Sequence, residues 1–293
     1  MSEKAGPLTR RDFVRGGMGA VAGLSILPAA RGELPPRPAR SARVVLVRDE
    51  KVLDDSYVVD RTVLARMVDE TVKRVTGQPS AQRAWLSLVR PTEIIGLVPT
   101  PHLNPTHDEL VEIVRESLER AGVPSENIRK AQGGPSKAVA CHALISLPAL
   151  KAHWLTGMGT VLKNYIAYSG NPSAYHGEDN VKLGEIWNLP SVKGKTRLVL
   201  VDALRPLCDK GPQPDPRYLW RYGGLLAGRD PVAVETVALR IITNKRDALR
   251  GGPWPLSPPP LCVAAADEVY GLGTSRWEEI TVDRVGWEKE VLL

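Results

Sequence analysis

The chain has 293 residues, 43% hydrophobic and 25% charged, which suits one large domain or two small ones with an ordinary soluble core. Its net charge of +6 is misleading, because residues 1–43 hold eight of the 39 Lys and Arg and only three of the 33 Asp and Glu. The remainder is close to neutral and offers no electrostatic case for a nucleic-acid partner.

Thr9-Arg10-Arg11-Asp12-Phe13-Val14-Arg15 precedes a small-residue apolar run from Gly16 to Ala30. A basic segment followed by a short apolar one is an export signal, and the run is too short to span a bilayer comfortably. Paired arginines followed by x-Phe-Val-Arg closely resemble the twin-arginine translocation signal. The expected organisation is a twin-arginine signal over residues 1–32, a Pro/Arg-rich linker over 33–42 and a single domain over 43–293. The resemblance implies the twin-arginine translocase as partner. The product is then periplasmic, or tethered to the membrane by an uncleaved leader, with no other stable transmembrane span. That route carries proteins already folded, often with a cofactor.

Along the body, the valine-rich run at 42–48 reads as a strand. Val63, Leu64, Met67, Val68, Val72 and Val75 mark an amphipathic helix over 60–76. Glu93 to Val98 is a second strand, followed by a loop with His102 and His107, and a helix opens at Thr106 or His107 and is closed by Gly122. Cys141 to Leu147 is nearly continuous in apolar character, as expected of a strand buried on both faces, and Pro148 ends it. Thr156 is then expected to cap a helix through Tyr165, with Gly157 and Gly159 in its first turn. Further on come a strand at 195–201 ending in Asp202, a last short parallel strand at 224–228, and a helix from Asp230-Pro231 to about Asn244. A small helix at 261–270 and a closing strand at 279–285 complete the chain. Strands alternating with helices predict an α/β fold, a mostly parallel open sheet with helices on both faces.

In such a sheet the ligand crevice lies outside the carboxyl ends of the strands. Polar residues follow four of the predicted strands there: His102 and His107; Lys151 and His153; Asp202; and Asp230. His142, inside an apolar strand, reads as a core histidine, His102 and His107 as caps or ligands in equal measure, and Asp230 as a structural cap. Lys151 and His153, two apart in an extended segment, project to one side. Backbone N–H groups over Thr156, Gly157 and Gly159 at a helix start would form an anion or cofactor site, to which Lys151 or Lys163 adds charge. Lys163 and Asn164 inside an apolar helix require a partner or a cleft. The separated Cys141, Cys208 and Cys262 encode neither an iron-sulfur run nor a zinc knuckle; they read as small buried residues, with one disulfide left open.

The run Leu147-Pro-Ala-Leu-Lys151-Ala-His153, then Thr-Gly-x-Gly and Leu162-Lys163-Asn164, resembles a known family. His176, Asp202-Ala203-Leu204 with Gly211-Pro212, and Asp230-Pro-Val-Ala-Val-Glu235 extend the likeness, from roughly residue 85 to 285. The family is the domain of unknown function 362. The resemblance implies an α/β domain without an established activity, in which many members carry ferredoxin-type cysteines. This chain lacks those cysteines, so no iron-sulfur cluster is expected. It also has Glu235 where the family usually has Asp, and residues 128–140 look shortened.

These readings combine into an exported enzyme or cofactor-dependent protein with one crevice at the strand ends. Lys151 and Lys163 hold an anionic group, His153 and His176 ligate a metal or act as acid and base, Asp202 orients one of them, and Asn164 completes the catalytic set. The rival is a periplasmic accessory protein that holds the same small anion or metal without turnover.

Overall fold

The computed structural model describes residues 41–293, so the leader read over 1–32 lies outside the described residues. The described residues fall in one compact unit. Its elements are β1 (Ala42–Arg48), α1 (Arg61–Thr76), α2 (Ala81–Leu88), β2 (Ile95–Pro99), α3 (Asp108–Arg120), β3 (Ile128–Lys130), α4 (Pro135–Val139) and β4 (Ala143–Leu147). After these come β5 (Ala149–His153), β6 (Gly157–Met158), a 3-10 helix at Leu162–Ser169, α5 (Leu183–Trp187) and β7 (Thr196–Leu207). The chain ends with β8 (Gly224–Gly228), α6 (Pro231–Arg250), α7 (Cys262–Glu268) and β9 (Ile280–Gly286).

The strands form one sheet in the order β3-β2-β4-β7-β8-β1-β9, with β5 paired to β7 and β6 to β5. Because side chains alternate along a strand, the sheet divides two cores. Val45, Val47, Leu97, Ile145, Leu198 and Leu200 pack with apolar residues of α1, α2 and α3. Val44, Leu46, Val98, Leu144, Val199 and Val201 pack with α6, α7 and the 3-10 helix. This is the expected α/β architecture with helices on both faces. Local signals set the helix ends: the Asp60 carboxylate accepts from the N–H groups of Thr62 and Val63, Gly77 closes α1 at φ 70°, and Asp230 caps α6 ahead of Pro231.

Three expectations are corrected. First, β8 runs antiparallel to both β7 and β1. No helix lies between β7 and β8, and a parallel neighbour would need such a crossover. The carboxyl end of β8, with Asp230, therefore points away from the edge shared by β2, β4 and β7. Second, Asp202 lies within β7 rather than at its end, because β7 continues to Leu207 by pairing with β5, Ala149 opposite Asp202 and Lys151 opposite Leu207. Third, Thr156, Gly157 and Gly159 start no helix. The chain turns back after His153, and Gly157-Met158 pairs antiparallel with Ala152-His153. The Thr156 hydroxyl donates to the Met158 carbonyl at 2.7 Å, which closes the turn.

Gly157 is required by backbone geometry and by space. Its φ is +73°, and a Cβ there would lie 2.5 Å from the Pro258 oxygen and 2.9 Å from the Pro260 nitrogen. Gly157→Ala is therefore expected to destabilise the fold by about 2 kcal/mol or more, read as a lowered urea midpoint at unchanged slope. An unchanged midpoint would remove this account of the glycine.

Candidate functional site

Carboxyl ends of parallel strands leave backbone and side chains projecting beyond the sheet, and here the ends of β2 and β5 do so together with the 3-10 helix. They enclose a cavity of about 490 Å³. Lys151, His153, Gly159, Lys163, Asn164 and His176 line it, as do His102 and Gln132. Its walls are largely apolar, among them Leu103, Trp154, Ile166, Tyr168 and Pro212, and no aspartate or glutamate is among the lining residues.

Lys151 is 4% exposed, and its Nζ donates to the carbonyls of Leu103 at 2.6 Å, Asn104 at 3.0 Å and His102 at 3.4 Å. Leu103 and Asn104 have φ of 54° and 62°, a conformation costly for residues with a Cβ. The lysine thus holds a strained loop, and the loop satisfies the lysine's three donors. Burial first, then the charge of Lys163, pulls Lys151 down to about 7.

Lys163 faces His176, with Nζ 2.6 Å from Nε2. Burial lowers this lysine to about 8. The His176 ring lies 5.7 Å from that of His153 in a stacked pair and also bonds the backbone of Pro172, necessarily through its carbonyl. His153 Nδ1 accepts from the Leu155 N–H at 3.1 Å, so in the neutral ring the proton sits on Nε2. Burial, followed by the nearby Lys163, drives His153 down to about 3, which keeps it neutral.

Asn164 lines the cavity, but its amide donates to the Val98 carbonyl at 2.7 Å and to Ser146 Oγ at 3.0 Å, and its oxygen faces Thr100 Oγ1 at 3.2 Å. It ties the 3-10 helix to the ends of β2 and β4. The amino end of that helix is held from below by Glu235, 1% exposed, whose Oε2 accepts from the Val161 N–H at 2.6 Å. Burial raises Glu235 to about 7.

Other expected residues are placed elsewhere. Asp202 does not line the cavity and meets neither His153 nor His176. Its Oδ2 accepts from the His107 backbone N–H and faces His107 Nδ1, both at 2.7 Å, while Oδ1 accepts from the Leu204 N–H. His107 takes the N-cap position of α3 without a side-chain cap bond, its ring committed to Asp202. His142 is exposed rather than core, because β4 begins one residue later, and its Nδ1 accepts from the Ile94 N–H. Thr156 and Gly157 belong to the hairpin described above, whereas Gly159 packs under the His153 ring, with its position for a Cβ 3.2 Å from His153 Cβ.

Among the described residues no group of three or more His, Cys, Asp or Glu is arranged to hold a metal ion, and Cys141, Cys208 and Cys262 are free, buried thiols. Gln132 and Trp154 were not singled out by sequence. Gln132 follows the short β3 and is signalled only by Gly133-Gly134; its Oε1 is buried without a hydrogen-bond partner. Trp154, 57% exposed, sits at the cavity beside His153.

Fold and site together define an α/β domain with a basic, mostly apolar cavity at the strand ends. Residues 103–240 match the family described as Domain of unknown function (DUF362), so this stretch is similar to that family. Comparisons with curated proteins and with solved structures give no match.

The buried Asp202–His107 pair makes a stability prediction. Burial opposes both charges, but Asp202 outweighs it to raise His107 above 6.5, and His107 and the backbone donors outweigh it to lower Asp202 below 3.8. A raised histidine loses its contribution as pH rises through its folded value, and a lowered carboxylate loses its own as pH falls through its folded value. The pair is therefore fully present between about pH 4 and 6.5. His107→Ala should cost about 3 kcal/mol in that window, measured by urea unfolding, with a smaller cost at either side. A cost that does not vary with pH would contradict the ion pair.

Proposed function

We propose that this protein is exported by the twin-arginine route and that its cavity binds a small organic anion on which it acts as an enzyme. The observation that carries the reading is a cavity lined by Lys151, Lys163 and three histidines with no carboxylate among them. Two ammonium groups without a counter-ion attract an anion, and desolvation strengthens that attraction. Lys163 and His176, within hydrogen-bond distance, serve as acid and base, whereas Lys151, caged by carbonyls, supplies the second cation below about pH 7. Asn164 positions the helix that carries Lys163, and Asp202 acts at a distance by anchoring His107.

Calorimetric titration with benzoate, and with benzylamine as the cationic control, tests the site. Benzoate is expected to bind and benzylamine not, with benzoate affinity falling as pH rises through 7 to 8, where Lys151 and then Lys163 lose their protons. Lys163→Met should weaken benzoate about tenfold, or ~1.4 kcal/mol, in a variant whose unfolding confirms that it is folded. Equal binding of both probes, or pH-independent binding, would sink the anion reading.

A second reading, a periplasmic accessory protein that holds a metal on His153 and His176, is favoured only by the stacking of those rings. His153 Nδ1 and His176 Nε2 already accept hydrogen bonds, so ligation through them would have to displace Leu155 N–H and Lys163. Zinc retained in dialysis and lost in the His153→Ala, His176→Ala double variant would support it. Export is tested by replacing Arg10 and Arg11 with Lys, which should abolish recovery from the periplasm; undiminished recovery would overturn that part.

A further inference from the structure

The two cavity lysines are held in different ways. Lys151 has a carbonyl acceptor for each of its three protons. Among the described residues Lys163 has one polar contact, His176 Nε2 at 2.6 Å. No carboxylate lines the cavity to hold Lys163 as an ammonium. An ammonium without a counter-ion in an apolar site tends to give up its proton, and the resulting amine is a nucleophile.

We propose that Lys163 is a carbonyl-condensing amine, forming an imine with a 2-oxo acid that bears an apolar side group. The inference rests on the anion-binding reading of the same cavity. The substrate's carboxylate pairs with Lys151, and its apolar group lies against Trp154, Ile166 and Tyr168. The neutral Lys163 amine adds its lone pair to the keto carbon, forming the C–N bond while the C=O pair moves to oxygen. His176 Nε2 takes the proton lost by nitrogen and returns it to that oxygen. Protonated His176 then gives a proton to the carbinolamine hydroxyl, which leaves as water as the C–O bond breaks and the nitrogen lone pair forms the C=N bond, and the imidazole regains a proton from the remaining N–H. Amine and ketone become imine and water, without any change in oxidation state. The lowered basicity of Lys163, to about 8, agrees with an amine available near neutral pH.

The test is trapping with benzoylformate and sodium cyanoborohydride, followed by intact-mass measurement and peptide mapping. The expected result is one reduced adduct on Lys163, with its yield greatest between about pH 7 and 8, where Lys163 is giving up its proton and Lys151 still carries part of its charge. It should be absent from Lys163→Arg, which keeps the charge but cannot form the imine. His176→Asn should slow trapping about tenfold or more while benzoate still binds. Benzoate and benzoylformate binding without an adduct, or an adduct that persists in Lys163→Arg or is spread over surface lysines, would overturn the imine and leave the anion site standing. Failure of both probes to bind would overturn the two together.

Discussion

The cavity depends on how two lysines are held out of water with no carboxylate beside them. A buried ammonium is costly unless its donors are satisfied, and the fold offsets that cost in two unlike ways. For Lys151 three backbone carbonyls accept its protons, two of them from the left-handed residues Leu103 and Asn104. For Lys163 the acceptor is an imidazole nitrogen. Carbonyl dipoles favour the charged form without neutralising it, so the cage orients a positive centre that burial and Lys163 leave partly charged near pH 7. An imidazole can exchange a proton, so the second lysine is the one with a proton-exchanging partner inside the cavity.

The surrounding framework fixes the distance between these groups. β5 extends the line of β4 beyond Pro148 and pairs with the far half of β7, which puts Lys151 and His153 beyond the end of the main sheet. The hairpin at Gly157 then folds the chain back, so that Lys163 enters from the facing side on a helix tied down by Asn164 above and Glu235 below. Glutamate rather than aspartate at 235 gives the longer reach used here to meet the Val161 N–H. Rigid attachments of this kind hold the cavity's polar groups at fixed separations.

Much of this was legible in the sequence, and the exceptions have physical causes. The amphipathic period of Val63 to Val75 and the caps Asp60 and Asp230 specified their helices because those signals are local. Lys151 and His153 were expected on one side because alternation along a strand is also local. Asp202 was misplaced because the end of β7 is set by pairing with β5, a contact invisible in the spacing of either segment. The hairpin at Gly157 was read as a helix start because a Gly-x-Gly has the same composition in both; the Pro258–Pro260 backbone that makes the glycine necessary is about a hundred residues away. The partner of Asp202 was expected to be His153 or His176, yet the sheet order places it opposite the start of α3. Long-range pairing decided each of these, and single-sequence patterns carry little of it.

The same groups that make the cavity basic make the fold sensitive near neutral pH. Glu235 has its folded value raised by burial to about 7, so its ionisation opposes folding, and its contribution declines as pH rises from its ordinary value of 4.5 through that folded value. Lys151 and Lys163 have folded values lowered to about 7 and 8 from 10.5, so their charged forms oppose folding at lower pH, and this cost lessens as pH rises. The two trends run in opposite directions and meet around neutrality, where a carboxylate below the helix and two ammonium groups above it are all partly charged. An anion bound between Lys151 and Lys163 would raise their proton affinity and remove the larger part of that strain. Any anion held by these lysines would therefore be linked to stability through them, and the empty site opposes folding most near neutrality.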